Sequence, residues 1–293
     1  MALQTIPMTP LIGSQIVIGK DELLSGSHRE EIRALLVKRG AVIIRDLHPT
    51  DAELRAVART LGDLRLGTAR RGSDGKTLNE GEEGVMKVSL DPKVNPDYAR
   101  FLFGNQLWHM DGTYLEQVPP FATMLAPHAL SREGGDTLFA NTYAAFEDLP
   151  ADLQRRLEGY RVLHSLQAAL FPAKQDCTAE EFAVWASYPT QVHPLVWQHS
   201  SGRKSLVLST ACARILELDA TASHDLLRDL MAHATQDKYV YVHKWQLGDL
   251  AIWDNTGTMH RVLPFEEGSV REMHRCTLNG EEPITAARTF AEA

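Results

Sequence analysis

The stretch DLAIWDNTGTMH, residues 249–260, decides the fold class. Asp249 to Asp254 is a short apolar run of strand length, Asp254-Asn255-Thr256-Gly257 has turn chemistry, and Thr258 to His260 begins a second extended run. The same texture recurs outward from it: FATMLA (121–126), DTLFA (136–140), YRVLHSL (160–166), PLVWQ (194–198), SLVLS (205–209), YVYVHKW (239–245) and the segment 271–278. Eight short runs bounded by turn residues predict a sandwich or barrel. Ser200-Ser201-Gly202-Arg203 reads as a hairpin turn between two of them, and helices over 142–158 and 222–236 interrupt the strand order. Ahead of the strands lies a helical portion, about 20–65. There Arg29 to Arg39 places Ile32, Leu35 and Leu36 on one face, and Gly40 closes the helix before the strand-like AVIIRD (41–46). Asp51 to Leu61 repeats the spacing through Leu54, Val57 and Leu61, with Thr50 and Glu53 placed as a capping box. The class is therefore mainly β with flanking helices. No repeat, low-complexity tract or linker divides residues 1–293, which read as one domain.

Composition narrows the partners. With 30 Lys+Arg against 38 Asp+Glu, the net charge of -8 argues against a nucleic acid. No apolar stretch approaches the ~20 residues of a membrane span, and the N-terminus lacks the order of a secretory signal, so a cytoplasmic protein without a membrane partner is expected. Cys177, Cys212 and Cys276 are too few and too scattered for a disulfide framework or a cysteine zinc site. Two segments are too long for plain connections. One is the polar stretch 67–105, with a strand candidate at Val85 to Val88. The other is an insertion at 168–191 with an amphipathic piece around Glu180 to Trp185, where a lid could lie. Phe171, Phe182 and Trp185 suit equally a contact between subunits of a homo-oligomer.

His109-x-Asp111 is the first chemical candidate. Chance alone supplies about one or two His-x-acid pairs in such a chain, and His28-x-Glu30 is read as one of these, on a solvated helix face. His109 and Asp111 follow an apolar, strand-like approach, so both side chains can emerge from one side of an extended segment. His260, beyond the turn at 254–257, would put a second imidazole at the mouth of a barrel. Two imidazoles and one carboxylate on one face leave adjacent coordination positions open, as at non-haem Fe(II) sites. Each histidine taken singly is as readily an ordinary buried one.

The company these residues keep carries a resemblance. WHMDGTY (108–114), GGDTLFANTYAAFEDLP (134–150), HPLV with GRKSLVL (193–208), GDLAIWDNTGTMHR (248–261), then Arg271 and Arg275 are similar, in the same order, to the taurine and phenoxyacetate dioxygenases, enzymes dependent on Fe(II) and 2-oxoglutarate. The resemblance implies a double-stranded β-helix, or jelly roll, with the metal at one open end. It implies His109, Asp111 and His260 as metal ligands, and Thr137 and Arg271 as the residues that hold 2-oxoglutarate. The implied reaction uses O2 to oxidise a substrate C–H bond, by hydroxylation or hydroxylation-driven cleavage, and releases succinate and CO2.

Charge agrees with that assignment. Fe(II), one carboxylate and a dianionic co-substrate leave one negative charge, which Arg271 balances with a planar fork suited to a carboxylate. Arg275 is then a surplus cation, and the resemblance implies that it grips a substrate carboxylate or sulfonate. The expected substrate is a small organic anion. Asn105, Tyr114 and Lys87 are further candidates for the pocket wall. Trp108, Trp253, Leu107 and Phe103 read as packing that keeps water from the metal, and His164, His193, His243 and His274 as histidines without a second metal. No acid or base beyond the ligands is required. Two other classes share these donors: a zinc hydrolase, for which no HExxH or equivalent appears, and a non-catalytic jelly-roll binding module.

Overall fold

A computed structural model describes residues 3–66, 70–71, 77–78, 84–91, 93–95, 102–115, 118–266 and 268–286. The chain begins with β1 (Gln4–Pro7), β2 (Ser14–Val17), α1 (Lys20–Leu24), α2 (Arg29–Arg39), β3 (Ala41–Ile44) and α3 (Asp51–Leu61). Both helices expected here take the expected bounds. Gly40 ends α2 at φ 71°, a conformation costly for any residue with a Cβ. At the start of α3 the Thr50 side chain accepts from the Glu53 N–H, and the Glu53 carboxylate accepts from the Thr50 N–H, which completes the capping box. His28 departs from its expectation. It is buried at the N-cap of α2, with its ring nitrogens 2.8 Å from Glu22 Oε1 and Glu31 Oε1, because the chain folds α1 back over it.

Next come β4 (Arg70–Arg71), β5 (Thr77–Leu78), β6 (Met86–Ser89) and α4 (Leu102–Asn105). Most of 67–105, and with it the Phe103 side chain, lies outside the described residues. The strand-rich part follows: β7 (Ala122–Ala129), β8 (Thr137–Asn141), α5 (Thr142–Glu147), α6 (Ala151–Leu157), β9 (Arg161–His164), α7 (Leu166–Leu170), α8 (Ala179–Ala186), β10 (Gln191–Pro194), β11 (Val196–Gln198), β12 (Lys204–Leu206), β13 (Cys212–Ile215), α9 (Ala220–Ala234), β14 (Val240–His243), β15 (Leu250–Asp254), β16 (Thr258–Val262) and β17 (Glu272–Thr277). The single helix expected over 142–158 is two. Pro150 bars the residue before it from the helical region, so α5 stops and α6 restarts from a Pro150 N-cap. The hairpin turn at 200–203 joins β11 to β12, with Gly202 at φ 85°.

Seven strands form one sheet in the order β1-β2-β3-β15-β7-β17-β6, antiparallel except between β2 and β3. Its two faces have different partners. Ala41, Ile43, Leu125, Trp253 and Met273 pack on Phe139 and Tyr241 of the facing sheet β14-β8-β16. Val42, Ile44, Met124, Ala126, Leu250, Ile252 and Cys276 pack on α2 and α3. Burial from both sides explains why β3, and β15 as far as Trp253, are apolar in succession rather than alternating. A third cluster around Trp197, Leu206 and Phe146 fills the space beside β9, β11 and β12 under α5 and α9. The architecture is the double-stranded β-helix that the family resemblance implied.

The β15–β16 turn is pinned from inside. Tyr143 Oη lies 2.8 Å from Thr256 Oγ1, which donates to Asp254 Oδ1, and a Cβ on Gly257 would come within 1.8 Å of the Tyr143 ring. Gly257→Ala should therefore lower stability by about 1–3 kcal/mol through overpacking. A denaturant midpoint equal to that of the unaltered protein would show that the turn tolerates the methyl.

Candidate metal centre

Two backbone hydrogen bonds build the site. His109 N–H donates to His260 O at 3.0 Å, and His260 N–H donates to His109 O at 2.8 Å, a bridge between the segment before β7 and the middle of β16. Such a reciprocal antiparallel pair sends both side chains to the same face. The two rings stand 4.1 Å apart at 48°. Asp111, two residues on, returns to that side with Oδ1 3.8 Å from His109 Nε2 and 3.9 Å from His260 Nε2. The three donor atoms lie within 4.8 Å of one another, wide enough apart for a cation between them.

The protonation states suit a cation. Burial lowers the pKa of both histidines, His260 far below its ordinary value, so the imidazoles are neutral. His109 Nδ1 donates to Leu107 O at 2.8 Å, which leaves the lone pair on Nε2, facing Asp111. His260 Nδ1 is buried without a hydrogen-bond partner among the described residues, and Trp253 and Phe139 pack their rings 4.7 and 6.4 Å from its ring. Burial alone would raise the Asp111 pKa, but the Arg275 guanidinium and the Thr123 hydroxyl hold it well below the carboxylate range. Both bind the same oxygen: Oδ2 accepts from Arg275 Nη2 at 2.8 Å and from Thr123 Oγ1 at 2.9 Å. Oδ1 is thereby left to the histidines. Thr123 in turn accepts from Asn255 Nδ2 at 2.8 Å, so its one hydrogen goes to Asp111.

Arg271 is 4% exposed just before β17, and its Nη2 donates to Gly135 O at 3.3 Å. Gly135, at φ 80°, leads two residues later into Thr137, and a Cβ there would stand 2.9 Å from Arg271 Nε. Close approach by this backbone brings Arg271 to the end of β8 where Thr137 is buried.

A family model described as "Taurine catabolism dioxygenase TauD, TfdA family" matches residues 4–277. The chain belongs to this family. It is 31% identical to the alpha-ketoglutarate-dependent 2,4-dichlorophenoxyacetate dioxygenase of Cupriavidus pinatubonensis, over 94% of this chain and 98% of that one. It is also 31% identical to the alpha-ketoglutarate-dependent sulfate ester dioxygenase of Pseudomonas putida, over 70% and 74% of the two chains. Among solved structures, AAD-2 in complex with Mn(II) and N-oxalylglycine superposes with a TM-score of 0.78 at 27% identity, covering 97% of this chain and all of that one. As a TauD/TfdA member the chain is an enzyme, a dioxygenase that uses Fe(II), 2-oxoglutarate and O2.

Within this family frame the remaining candidates separate. Arg275 is no isolated surplus cation, since it is ion-paired with Asp111 at 2.8 Å. Tyr114 packs with Leu115 against Leu166 and against Leu170, Trp185 and Tyr188 of the insertion. Asn105 closes α4, which meets the insertion where Gly104 approaches Leu170. Lys87 does not join the centre. It is exposed and pairs directly across from His274, whereas Arg275 pairs with Met86, and alternation puts the two sets on opposite faces of the sheet. His274 has neighbours that the sequence did not show: Asp51 Oδ1 and Glu272 Oε1 lie 2.5 and 2.7 Å from its two nitrogens and His128 stacks on it at 3.4 Å. Asp51, His128 and His274 thus form a second group of donors. Two ligands of one cation stand roughly 3 Å apart, so 2.5 Å is a hydrogen-bond length. Thr123 and Asn255 were missed in the sequence. Only the turn composition at 254–257 pointed near them.

Thr123→Val keeps the shape but strips Asp111 of a donor. It should weaken Mn(II) affinity about tenfold or more, read by titration calorimetry, with thermal stability close to that of the parent. Unchanged affinity would mean that Thr123 does not hold the ligand.

Proposed function

We propose that His109, Asp111 and His260 hold the iron, that Thr137 and Arg271 hold 2-oxoglutarate, and that the enzyme oxidises a C–H bond of a small organic anion beside Arg275. The observation that carries this is the split use of Asp111: one oxygen faces two neutral imidazoles, the other is held by a guanidinium. Bound iron supplies O2-dependent oxidation coupled to conversion of 2-oxoglutarate to succinate and CO2. The chain's own part is placement. Arg275 keeps Asp111 ionised and fixes which oxygen it presents, and Arg271 offers a buried fork to a carboxylate. Iron, Asp111, 2-oxoglutarate and both arginines sum to one positive charge, which a substrate carboxylate, sulfonate or sulfate would neutralise. Two relatives named for 2,4-dichlorophenoxyacetate and sulfate esters support an anion of that kind.

We read 1–293 as one catalytic domain acting in the cytoplasm, a placement supported by Cys177, Cys212 and Cys276 all lacking a disulfide. No described helix is long and apolar enough to cross a membrane. The insertion at 168–191 is proposed as a lid. Its Trp185 is buried toward Tyr114 and Leu115, and the outward pair Phe171 and Phe182, 44% and 41% exposed, remains the surface for a subunit contact.

Succinate release, measured with a panel of aryloxy carboxylates, alkyl sulfates and alkyl sulfonates, tests the substrate class. Stimulation by neutral analogues alone would contradict it. Arg271→Ala should raise the KM for 2-oxoglutarate at least about tenfold with metal affinity unchanged. Arg275→Ala should weaken metal and prime substrate together, since removing one partner of a buried charge pair costs about 2–5 kcal/mol. Identical profiles for the two variants would remove the division of roles. For the lid, hydrogen exchange across 168–191 should slow on adding Mn(II), 2-oxoglutarate and an anionic substrate. Protection that follows protein concentration instead would assign the insertion to a subunit interface.

A further inference from the structure

Thr137 has a partner outside the stretches that carry the family resemblance above. Trp245, two residues beyond β14, donates its Nε1–H to Thr137 Oγ1 at 3.0 Å. An indole N–H can only donate, so the Thr137 oxygen must accept, and its single hydrogen is turned toward some other acceptor. Among the described residues this is the one hydrogen bond of the Thr137 hydroxyl, which is buried at the start of β8. That hydrogen is turned away from Trp245 before any ligand arrives.

Trp245 is itself held from both sides along the chain. Arg45 Nη1 donates to Lys244 O at 3.2 Å and to Asp249 Oδ2 at 2.5 Å, and the Gln246 N–H donates to the same Asp249 oxygen at 2.8 Å. The residues before and after Trp245 are thus clamped by one ion pair. The ring stands edge-on to His243 at 4.3 Å, and His243 is fully buried, 3.1 Å from Tyr241 Oη and 3.2 Å from Asp249. In register, His243 lies directly across from Thr137.

We infer that Trp245 is a positioning residue for the distal carboxylate of 2-oxoglutarate, acting through the Thr137 hydroxyl, with the Arg45–Asp249 pair fixing its place. This rests on the reading that Thr137 holds 2-oxoglutarate. A hydroxyl already aimed at the carboxylate spares the ligand the cost of ordering it, which is an affinity effect on one co-substrate alone.

The test is calorimetric titration of 2-oxoglutarate into the Mn(II)-loaded protein without O2, for Trp245→Phe, Thr137→Val and the double variant. Trp245→Phe keeps a ring against His243 and loses the N–H. It should weaken 2-oxoglutarate binding about fivefold to tenfold with Mn(II) affinity unchanged. In turnover its effect should fall on the KM for 2-oxoglutarate and not on kcat. Thr137→Val should weaken binding at least as much, and the double variant no further than Thr137→Val. Normal affinity in Trp245→Phe beside impaired Thr137→Val, or additive losses, overturns the inference alone. Normal affinity in Thr137→Val overturns the co-substrate reading of Thr137 and the inference with it. Arg45→Gln loosens the clamp from the partly exposed side and should give the same signature at smaller size, so it decides the matter should Trp245→Phe fail to fold.

Discussion

A pair of peptide hydrogen bonds between His109 and His260 joins residues 151 positions apart and sets the geometry of the centre. The bridge fixes the spacing of two imidazoles without any contribution from their side chains, and Asp111 follows from the i, i+2 repeat of extended chain. His260 occupies the middle of β16, whose other neighbour is Phe139 of β8. The position of one ligand is therefore inherited from the packing of Phe139, Trp253 and Met273 between the sheets. A donor on a strand, as His260 is, has little freedom, and the backbone bridge lends His109 the same restraint, a precision that a metal site needs more than any tuned acid or base.

The second organising feature is the alternation of β17. Met273 and Arg275 face the interior of the β-helix, while His274 and Cys276 face α3. One strand thus places a guanidinium against Asp111, a proposed metal ligand, and, on its reverse, an imidazole against Asp51. A slip of one residue would exchange these environments. β7 carries a bulge at His128, opposite the step from Glu272 to Met273, just where the strand leaves Arg271 for the interior.

The fold was legible because its strands are short, apolar and bounded by turn residues, and because α2 and α3 carry their own start and stop signals. β1, β2, β4, β5, β10 and β13 went unseen, of which β1 and β13 show why. The first is exposed along its whole length, the second is half-exposed, and neither has the apolar pattern that marks a strand. The three proposed metal donors come from spacing together with the surrounding motifs, and the fold brings His109, Asp111 and His260 into one group. The pairing of Arg275 with Asp111 was not readable, since a sequence shows charge but not which oxygen it meets. Lys87 was misplaced for want of register: a strand candidate without its partner does not say which face it turns inward. Thr123, Asn255 and Trp245 escaped because a Thr on a strand, an Asn in a turn and a Trp after a strand each have a commoner structural explanation. Only the donor and acceptor order, visible in three dimensions, singles them out.

The central claim is that one cation on His109, Asp111 and His260 creates the binding site for 2-oxoglutarate. Its most direct test is anaerobic titration of the chain and of His260→Ala with Mn(II), followed by 2-oxoglutarate. The account predicts one Mn(II) per chain in the unaltered protein, 2-oxoglutarate binding that requires it, and loss of both in His260→Ala with the fold retained. Equal affinity for 2-oxoglutarate with and without the metal, or one tightly bound Mn(II) in His260→Ala, would contradict it.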